Sequence, residues 1–269
     1  MRSRNRTRLK HTLSLKLFER IFQGTKMINN QKILAIVPAR GGSKGLPRKN
    51  MLSLCGKPLL AWPIITAKES KYIDEIVVST DDEEMAKTAE KYGASVPFLR
   101  PAELATDTAS TFSVLEHAIG FLKNIGKFFD YIVLREPTSP LTEASDIDNA
   151  LELLVSKREI ADSIVGVSKV EAAHPAFDVV IRENGTIKPL MYPDFSRAVR
   201  RQEITDVYFF EGSLYISDTE VLLKKKSFYH DRTLPYIVPR YKSLEIDEQI
   251  DFIYAEAILN NLEKIKKQA

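Results

Sequence analysis

A glycine-rich and strongly basic loop is the part of this sequence best suited to chemistry. It spans residues 38–50, Pro-Ala-Arg-Gly-Gly-Ser-Lys-Gly-Leu-Pro-Arg-Lys-Asn, and follows a short apolar run. Its glycines let backbone N–H groups approach an anion closely, because no Cβ stands in the way. Its spacing matches neither the P-loop nor the dinucleotide fingerprint. The loop predicts a polyphosphate site, and the alternative is a solvated surface loop. Its cationic side chains are Arg40, Lys44, Arg48 and Lys49.

A second group of chemically suited residues is acidic and lies near the C-terminus. Glu245 and Asp247 are two positions apart, so in an extended stretch both carboxylates point to the same face. Mg²⁺ commonly takes one or two carboxylates and completes its shell with water and phosphate oxygens. The alternative is a helix N-terminus, where Asp247 and Glu248 would interact favourably with the helix dipole. The cationic loop in the same chain favours the metal site.

Two further segments place polar side chains where predicted strands end. Arg100 ends a short strand and precedes a loop in which Asp107 is suited to capping a helix. Arg100 is therefore either a salt-bridge partner or a phosphate or base contact. The stretch 135–141 follows a buried strand, and open α/β sheets bind ligands at the carboxyl ends of their strands. Its candidates are Glu136, Thr138 and Ser139.

The elements that must position these residues follow from the hydrophobic pattern. Short apolar runs alternate with longer amphipathic segments, which predicts an α/β fold with a mixed, mostly parallel sheet covered by helices. The predicted strands are 33–37, 75–79, 95–99, 131–134 and 163–167. The predicted helices are 58–68, 83–92, 110–125, 145–156 and 250–267.

After His174 the hydrophobic pattern no longer alternates strands with helices, and an antiparallel β-rich excursion is predicted. Its strands are 177–181, 186–189 and 213–217, and Asn184-Gly185 supplies a hairpin turn. We expect a single domain over residues 27–269, with a small β-rich excursion within about 174–235.

Composition describes an ordinary globular chain. Of 269 residues, 44% are hydrophobic and 28% are charged, and the longest nearly apolar run, residues 58–67, is too short to span a bilayer. The single cysteine, Cys55, excludes an internal disulfide, and the four histidines lack zinc spacing. We therefore expect a cytoplasmic protein without a membrane partner.

The basic character of the chain belongs to residues 1–26. They hold eight Lys and Arg against one acid, a charge of +7, so the rest carries −4 of the overall +3. A nucleic-acid-binding fold is therefore not indicated. The segment could be a nuclear or nucleic-acid-attracting arm, an organellar transit peptide, or an extension without function. We favour the last, a disordered extension before a start at Met27; a nuclear location would require a genuine tail and a eukaryotic source.

Four segments in register make this chain resemble the CMP-sialic acid synthetases, or acylneuraminate cytidylyltransferases. They are the loop at 38–50, residues 99–110, Pro-Thr-Ser-Pro-Leu at 137–141 and Glu-Ile-Asp at 245–247, and the similarity covers about residues 31–265. The resemblance implies a Rossmann-like nucleotidyltransferase fold and a homodimer, with the excursion reaching the partner subunit. It also implies Mg²⁺-dependent transfer of CMP from CTP to the anomeric 2-hydroxyl of a nonulosonic acid, with release of pyrophosphate.

The resemblance further implies roles for individual residues. Asn50 reads the cytosine or its ribose, Glu245 and Asp247 form the metal pair, and the catalytic set is Arg40, Lys49 and Asp247. The nucleotide-binding residues are Arg40, Gly41, Gly42, Ser43, Lys44, Lys49, Asn50, Arg100 and Thr111. The acceptor-binding residues are Glu136, Thr138, Ser139, Arg201, Phe228 and Tyr229.

Three positions depart from the family pattern. Sialic-acid enzymes commonly have glutamine at Glu136, asparagine at Glu211 and aspartate at Glu245. Glu136 and Glu211 put a negative charge in place of a neutral amide, which should repel a second anion and favour hydroxyl or amino donors, whereas Glu245 can still bind a metal but reaches one methylene further than aspartate. Our hypothesis is an acceptor related to sialic acid, such as a legionaminate-like nonulosonate. No side chain stands out as a general base, so a metal-activated hydroxyl or water is preferred.

Two rival interpretations remain open. The first is a CMP-Kdo-type or other sugar nucleotidyltransferase, against which the Pro-Thr-Ser-Pro stretch argues. The second is a non-catalytic sugar-nucleotide-binding protein of the same fold, supported by the changes at Glu136, Glu211 and Glu245 but opposed by the intact loop and Asp247.

Overall fold

The computed structural model describes residues 28, 30–42, 45–171, 173–192, 194–195 and 204–267. Its strands are β1 (Ile33–Pro38), β2 (Ser53–Leu54), β3 (Lys57–Pro58), β4 (Glu75–Ser79), β5 (Tyr131–Leu134), β6 (Ser163–Lys169), β7 (Val179–Ile181), β8 (Ile187–Pro189), β9 (Tyr208–Asp218) and β10 (Thr233–Ile237). Its α-helices are α1 (Ala61–Glu69), α2 (Glu83–Tyr92), α3 (Thr111–Asn124), α4 (Ala144–Ser156), α5 (Thr219–Lys225), α6 (Gln249–Asn260) and α7 (Leu262–Lys266).

A six-stranded sheet in the order β10-β6-β9-β5-β1-β4 forms the centre of the molecule. The strands β4, β1 and β5 pair in parallel, as do β6 and β10. Strand β9 runs antiparallel between β5 and β6 and joins the two parallel sets. The predicted mixed, mostly parallel sheet is confirmed.

Alternation along β1 explains why helices cover both faces of the sheet. Ile33, Ala35 and Val37 lie in a core with α1 and α4, whereas Leu34 and Ile36 lie in a second core with α3. All five side chains are fully buried. Successive residues of a strand point to opposite faces, so an uninterrupted apolar run is typical of a strand buried on both sides.

Local signals fix the helix ends that surround the site. Asp82 caps α2 by accepting from the Met85 N–H, and Gly93 ends that helix with a positive φ of 104°. Ser110 caps α3 by accepting from the Ser113 N–H. Pro63 is the third residue of α1, so it lies in the first turn, where its missing N–H costs no helix bond.

The structure corrects three predicted elements. Residues 95–99 form no strand but a single bridge from Ser95 to Val77, because Pro97 cannot donate to a ladder. Residues 213–217 belong to β9 in the central sheet rather than to the excursion. The last helix is interrupted at Asn261, whose side-chain amide donates to the Ala257 carbonyl and competes with the helix.

The hairpin β7–β8 stands apart from the central sheet, joined by the predicted turn at Gly185. Its strands begin two and one residues later than predicted. The extension at residues 1–26 lies outside the described residues. Among the helices of the described ranges, none is long and apolar enough to cross a bilayer.

Candidate active site

The sheet gathers the candidate residues at one edge. Strands β1 and β5 end there in the basic loop and in Arg135-Glu136, and the antiparallel β9 brings its first half to the same edge. The segment 245–247 joins them because the Ile246 N–H donates to the Thr138 carbonyl over 2.8 Å. Four segments that are far apart in sequence therefore meet at the carboxyl end of the sheet, as expected for this fold class.

These segments enclose a polar cavity of about 520 Å³. It is lined by Pro38, Arg40, Gly45, Lys49, Asn50, Glu136, Pro137, Thr138, Glu245, Asp247 and Glu248. A larger groove of about 870 Å³ lies against α6 and contains none of the predicted site residues. We place the chemistry in the smaller cavity because charged groups of both signs converge there.

Acids from other elements neutralise much of the basic loop. Arg48, in a left-handed conformation at φ 53°, pairs with Asp82 at 2.9 Å and Glu84 at 2.6 Å, and therefore acts as a structural anchor. Arg40 pairs with Asp107 at 2.7 Å. All three ion pairs are partly exposed, where each such pair contributes at most about 1 kcal/mol, so a bound phosphate could displace Asp107 from Arg40.

The two glycines at the start of the loop differ in how open their backbone is. The Gly41 N–H donates to Asp81 over 2.9 Å. A Cβ at Gly42 would meet no atom of the described residues within 4 Å, so this backbone is open to a ligand. Ser43 and Lys44 lie outside the described residues, and their phosphate contacts stay predictions.

Lys49 links the loop to the acid pair. Its Nζ donates to the Ile246 carbonyl over 2.6 Å and to Asp247 Oδ1 over 2.9 Å. The Lys49 side chain is 13% exposed, whereas the Asp247 side chain is 73% exposed. A Cβ on Gly45 would collide with the Asp247 carbonyl, so glycine permits this close approach of the two segments.

Glu245 is held from the opposite side. Its Oε1 accepts a hydrogen bond from the Gly212 N–H on β9, and a Cβ on Gly212 would collide with the same carboxylate. The acid pair suits Mg²⁺, which needs only one or two carboxylates if phosphate and water supply the other oxygens. In the described ranges, no three His, Cys, Asp or Glu are grouped to hold a metal. A metal here would therefore need the phosphates of a bound nucleotide.

Glu136 lies where two cavities meet. It lines the polar cavity and also a smaller one of about 210 Å³, the aromatic cavity, which extends along the α3 side of the sheet. Burial raises the pKa of Glu136 to about 7, the charge of Glu245 adds to the rise, and Arg135 opposes it. Glu136 is therefore the residue that the two cavities share.

The aromatic cavity contains the predicted acceptor residues Phe228 and Tyr229 together with Thr111, which was predicted to bind nucleotide. Its full lining is Thr111, Phe112, Leu134, Glu136, Tyr215, Leu222, Lys226, Ser227, Phe228 and Tyr229. Tyr215, which was not predicted from the sequence, packs with its ring centroid 5.5 Å from that of Phe228 in a tilted arrangement and 6.2 Å from that of Tyr229 edge to face. The sequence held a signal for Tyr215: it lies between Leu214 and Ile216, so in a strand it must point to the opposite face of the sheet from these two core residues.

Lys226 is a second residue that the sequence analysis missed. It ends α5 in a left-handed conformation and lines the aromatic cavity, with Nζ 6.0 Å from the centre of the Phe112 ring. It brings a cation to a cavity that would take an acidic acceptor. Arg201, which was predicted to meet the acceptor, lies outside the described residues.

The three remaining predicted residues, Asn50, Arg100 and Ser139, are all buried. Asn50 is buried, lines the polar cavity and donates from Nδ2 to the Arg40 carbonyl over 3.3 Å. Arg100 is buried against Ser79, to which its Nε donates over 3.1 Å, and burial lowers its pKa to about 10. Ser139 is buried in the turn after β5 and is absent from the linings of both cavities.

Glu211 does not face an acceptor. It is 2% exposed, points toward β6 where Gly166 leaves room for it, and accepts a hydrogen bond from the Ser213 hydroxyl. Burial raises its pKa to about 7, while the Ser213 hydrogen bond and the charge of Arg135 oppose the rise. Of the two carboxylates predicted to repel a second anion, Glu136 and Glu211, only Glu136 is placed to do so.

Comparisons with known proteins relate the chain to one family and one fold. The family model described as Cytidylyltransferase matches residues 34–268. The chain is 35% identical over 229 residues to the CMP-N,N'-diacetyllegionaminic acid synthase of Legionella pneumophila, covering 85% of this chain and 96% of that one. It is 31% identical over 231 residues to the pseudaminic acid cytidylyltransferase of Campylobacter jejuni, covering 84% and 96%.

A third relative is about twice as long as the matched region. The chain is 34% identical over 227 residues to an Escherichia coli N-acylneuraminate cytidylyltransferase, covering 84% of this chain and 52% of the relative. Among solved structures, a CMP:2-keto-3-deoxy-manno-octonic acid synthetase complexed with CTP superposes with a TM-score of 0.65 at 17% identity, covering 86% of this chain and 99% of that one. That likeness shows a shared fold.

Proposed function

The chain belongs to the cytidylyltransferase family, and we propose that it transfers CMP from CTP to the anomeric 2-hydroxyl of a nonulosonic acid, releasing pyrophosphate. One observation carries this conclusion. The basic loop and the acid pair meet in one cavity through the bonds of Lys49 to Ile246 and Asp247, and that cavity adjoins the aromatic cavity at Glu136. A triphosphate site thus lies beside a site for a second substrate.

The loop would hold the triphosphate. Arg40 and Lys49 would supply charge, and the open backbone at Gly42 would supply an N–H donor, which Gly41 would join by exchanging Asp81 for a phosphate oxygen. Asn50, which lines the cavity, would contact the cytidine. Exchanging Asp107 and Asp247 for phosphate oxygens would leave both cations paired. The chain itself has little covalent work, because phosphoryl-type transfers depend mainly on in-line positioning and on neutralising developing charge.

Mg²⁺ fits Glu245 and Asp247 as its protein ligands. When bound, the ion would polarise the α-phosphate and lower the pKa of the attacking hydroxyl. Lys49 would then exchange Asp247 for a phosphate oxygen, while the Gly212 N–H keeps Glu245 in place. Mg²⁺ dependence is part of this proposal.

The aromatic cavity would select the acceptor. Its rings and leucines would pack against the apolar groups of a sugar acid, Lys226 would attract its carboxylate, and Glu136 would accept hydrogen bonds from hydroxyl or amide donors. We propose a legionaminate-like acceptor, because apolar walls favour acyl and methyl groups over a chain of hydroxyls. The name of the Legionella relative supports this class.

A homodimer in the cytoplasm completes the proposal. The hairpin β7–β8 exposes Val179, Val180, Ile181 and Ile187, and a second copy of the chain would cover this surface. The relatives are bacterial proteins, and their names give no support to a nuclear location.

Pyrophosphate release from CTP across a panel of keto-sugar acids tests the function. We expect turnover with N,N'-diacetyllegionaminate to exceed that with N-acetylneuraminate or Kdo. Faster turnover of N-acetylneuraminate than of every related sugar would contradict the acceptor assignment, and a preference for Kdo would favour the CMP-Kdo alternative. CTP binding without turnover of any sugar would favour the non-catalytic binding protein.

A further inference from the structure

The backbone that holds Glu245 departs from regular strand geometry. In the pairing of β9 with β6, Tyr215 lies opposite Val165 and Phe210 lies opposite Val167. Four residues of β9, 211–214, therefore lie opposite the single residue Gly166 of β6. Such a bulge leaves backbone groups without ladder partners and re-aims the local chain. Here it directs the Gly212 N–H toward the site, where it donates to Glu245 Oε1.

A buried arginine supports this bulge. Arg135 follows β5, is fully buried, and donates from Nη1 to the Ser213 carbonyl. The Thr142 hydroxyl reaches the same carbonyl over 3.4 Å. Because a buried carbonyl without a partner is costly, the guanidinium supplies the bond that the interrupted ladder cannot.

Arg135 also interacts with the bulge through its charge. Glu211, one end of the bulge, is buried and attracts Arg135, as do Asp146 and Glu136. The Ser213 hydroxyl donates to Glu211, which closes a small network across residues 211–213. A fully buried guanidinium requires such compensation.

We propose that Arg135 is a positioning residue of the active site: it fixes the bulge at residues 211–213 and thereby the Gly212 N–H that orients Glu245. The inference rests on the proposed function only for the reaction that serves as one readout. A purely structural role would be limited to neutralising Glu211.

Two variants distinguish these roles. Arg135→Leu leaves Glu211 buried without compensation, and Arg135→Leu/Glu211→Gln removes both charges while Gln can still accept from Ser213. Melting temperature, kcat and KM are measured for each variant, together with Mn²⁺ binding in the presence of CTP by electron paramagnetic resonance. Asp148→Asn is the control, because Asp148 is a buried acid of α4 that bonds to Ser70 and Lys71 away from the site.

We expect Arg135→Leu to lose stability and the double variant to recover most of it. In the double variant kcat should still be lower by roughly 100-fold, since a displacement of about 1 Å at a reacting centre has that effect. Its Mn²⁺ dissociation constant should rise by about tenfold. Asp148→Asn should lower the melting temperature and leave kcat and Mn²⁺ binding unchanged.

Recovery of wild-type kcat and Mn²⁺ affinity in the double variant would overturn the proposal. If neither leucine variant folds, Arg135→Lys keeps the charge without the fork that reaches Ser213, and wild-type kcat there would likewise contradict it. If the wild-type chain turns over no sugar acid, the proposed function fails, but Mn²⁺ binding still tests the positioning role of Arg135. Equal Mn²⁺ affinity in the wild type and the double variant would contradict that role, as would a wild type that binds no Mn²⁺ in the presence of CTP.

Discussion

Asp247 and Glu245 share one extended segment but are held in different ways. Asp247 is largely exposed and forms an ion pair with Lys49, whereas Glu245 accepts from a backbone N–H on β9. The Asp247 carboxylate lies largely in solvent, which screens its attraction to the more buried Lys49, so Asp247 can change partner at little cost. This difference makes Asp247 the better residue for testing the metal pair without unfolding the chain.

Asp247→Ala should remove most activity while leaving CTP affinity in the absence of metal largely intact. The physical reason is that the lost carboxylate would bind Mg²⁺, whereas Lys49 and Arg40 remain to bind phosphate. Pyrophosphate release gives the activity, and calorimetry in the presence of a chelator gives the CTP affinity. Glu90→Gln, an exposed acid on α2, is the control and should behave as wild type. Near wild-type turnover of Asp247→Ala would refute the metal assignment.

Tyr229→Ala should raise the KM for the sugar acid by about tenfold, the equivalent of about 1.4 kcal/mol, with the KM for CTP little changed. Its ring packs 4.5 Å from Phe210 and lines the aromatic cavity, apart from the basic loop. Steady-state kinetics with each substrate varied in turn measure the effect. Phe128→Ala, an exposed aromatic near the amino end of β5, is the control. An equal rise in both KM values would contradict the separation of the two cavities.

Single residues also show how far sequence reasoning reached. Lys49, Asn50, Thr138 and the acid pair could be predicted to lie together because their segments end strands or carry complementary charge. The direction of Glu211 could not, because its burial depends on Arg135 from β5 and on space left by β6. Such pairing across the sheet has no local signature.

At the scale of elements, β9 determines the shape of the site. Its apolar alternation predicted a strand, but the sequence analysis placed that strand in the excursion. Strand β9 pairs with β5 and with β6 over separations of 39 to 87 positions, and Tyr215, for example, lies opposite both Leu134 and Val165. The partner of a strand is set by this long-range packing rather than by its own pattern.

The bulge of β9 makes a prediction about glycine. Gly212→Ala should lower kcat by at least roughly 100-fold in a folded chain, because its Cβ would displace Glu245. Gly120→Ala is the matched control: it lies within α3, its Cβ would meet no described atom within 4 Å, and it should stabilise the chain by about 0.5–1 kcal/mol with kcat unchanged. Circular dichroism and steady-state kinetics measure both. Wild-type kcat in Gly212→Ala would be inconsistent with this packing.

At the scale of the whole molecule, a buried ion network ties the C-terminal part to the sheet. The Lys242 side chain is 5% exposed and pairs at 2.7 Å with Glu143, the residue before α4, and at 2.7 Å with Asp146 in α4. Lys266 of α7 also pairs with Glu143. These ion pairs join Lys242, which precedes the segment 245–247, and Lys266 in the last helix to the amino end of α4. They therefore hold the C-terminal part of the chain against α4.

The pH dependence of stability should report this network. Burial alone would raise the pKa of Glu143, but hydrogen bonds from Lys242 and Lys266 lower it overall, so its stabilisation holds above about pH 4.5 and is lost as the pH falls further. Burial would lower the pKa of Lys242, but Asp146 and Glu143 raise it overall, so its stabilisation holds below about pH 10.5 and is lost as the pH rises through the folded-state pKa.

Lys242→Met should therefore lower the free energy of unfolding by about 3 kcal/mol at neutral pH, because it leaves Asp146 buried without its cation. The loss should shrink as the pH falls below about 4.5, because Lys242 lowers the pKa of Glu143 and the stabilisation linked to that lowered pKa disappears in this direction. Urea unfolding across this range measures both effects. Lys264→Met, on the exposed part of α7, is the control. A loss that is independent of pH would contradict the network.

We propose that the basic loop, the acid pair and the aromatic cavity form one centre for cytidylyl transfer. Phosphorus NMR of the full chain with CTP, Mg²⁺ and N,N'-diacetyllegionaminic acid detects both products of this reaction. We expect equal amounts of pyrophosphate and of a new CMP–sugar phosphodiester, with neither formed when the sugar acid is omitted. Bound CTP that yields no phosphodiester with any keto-sugar acid would contradict it.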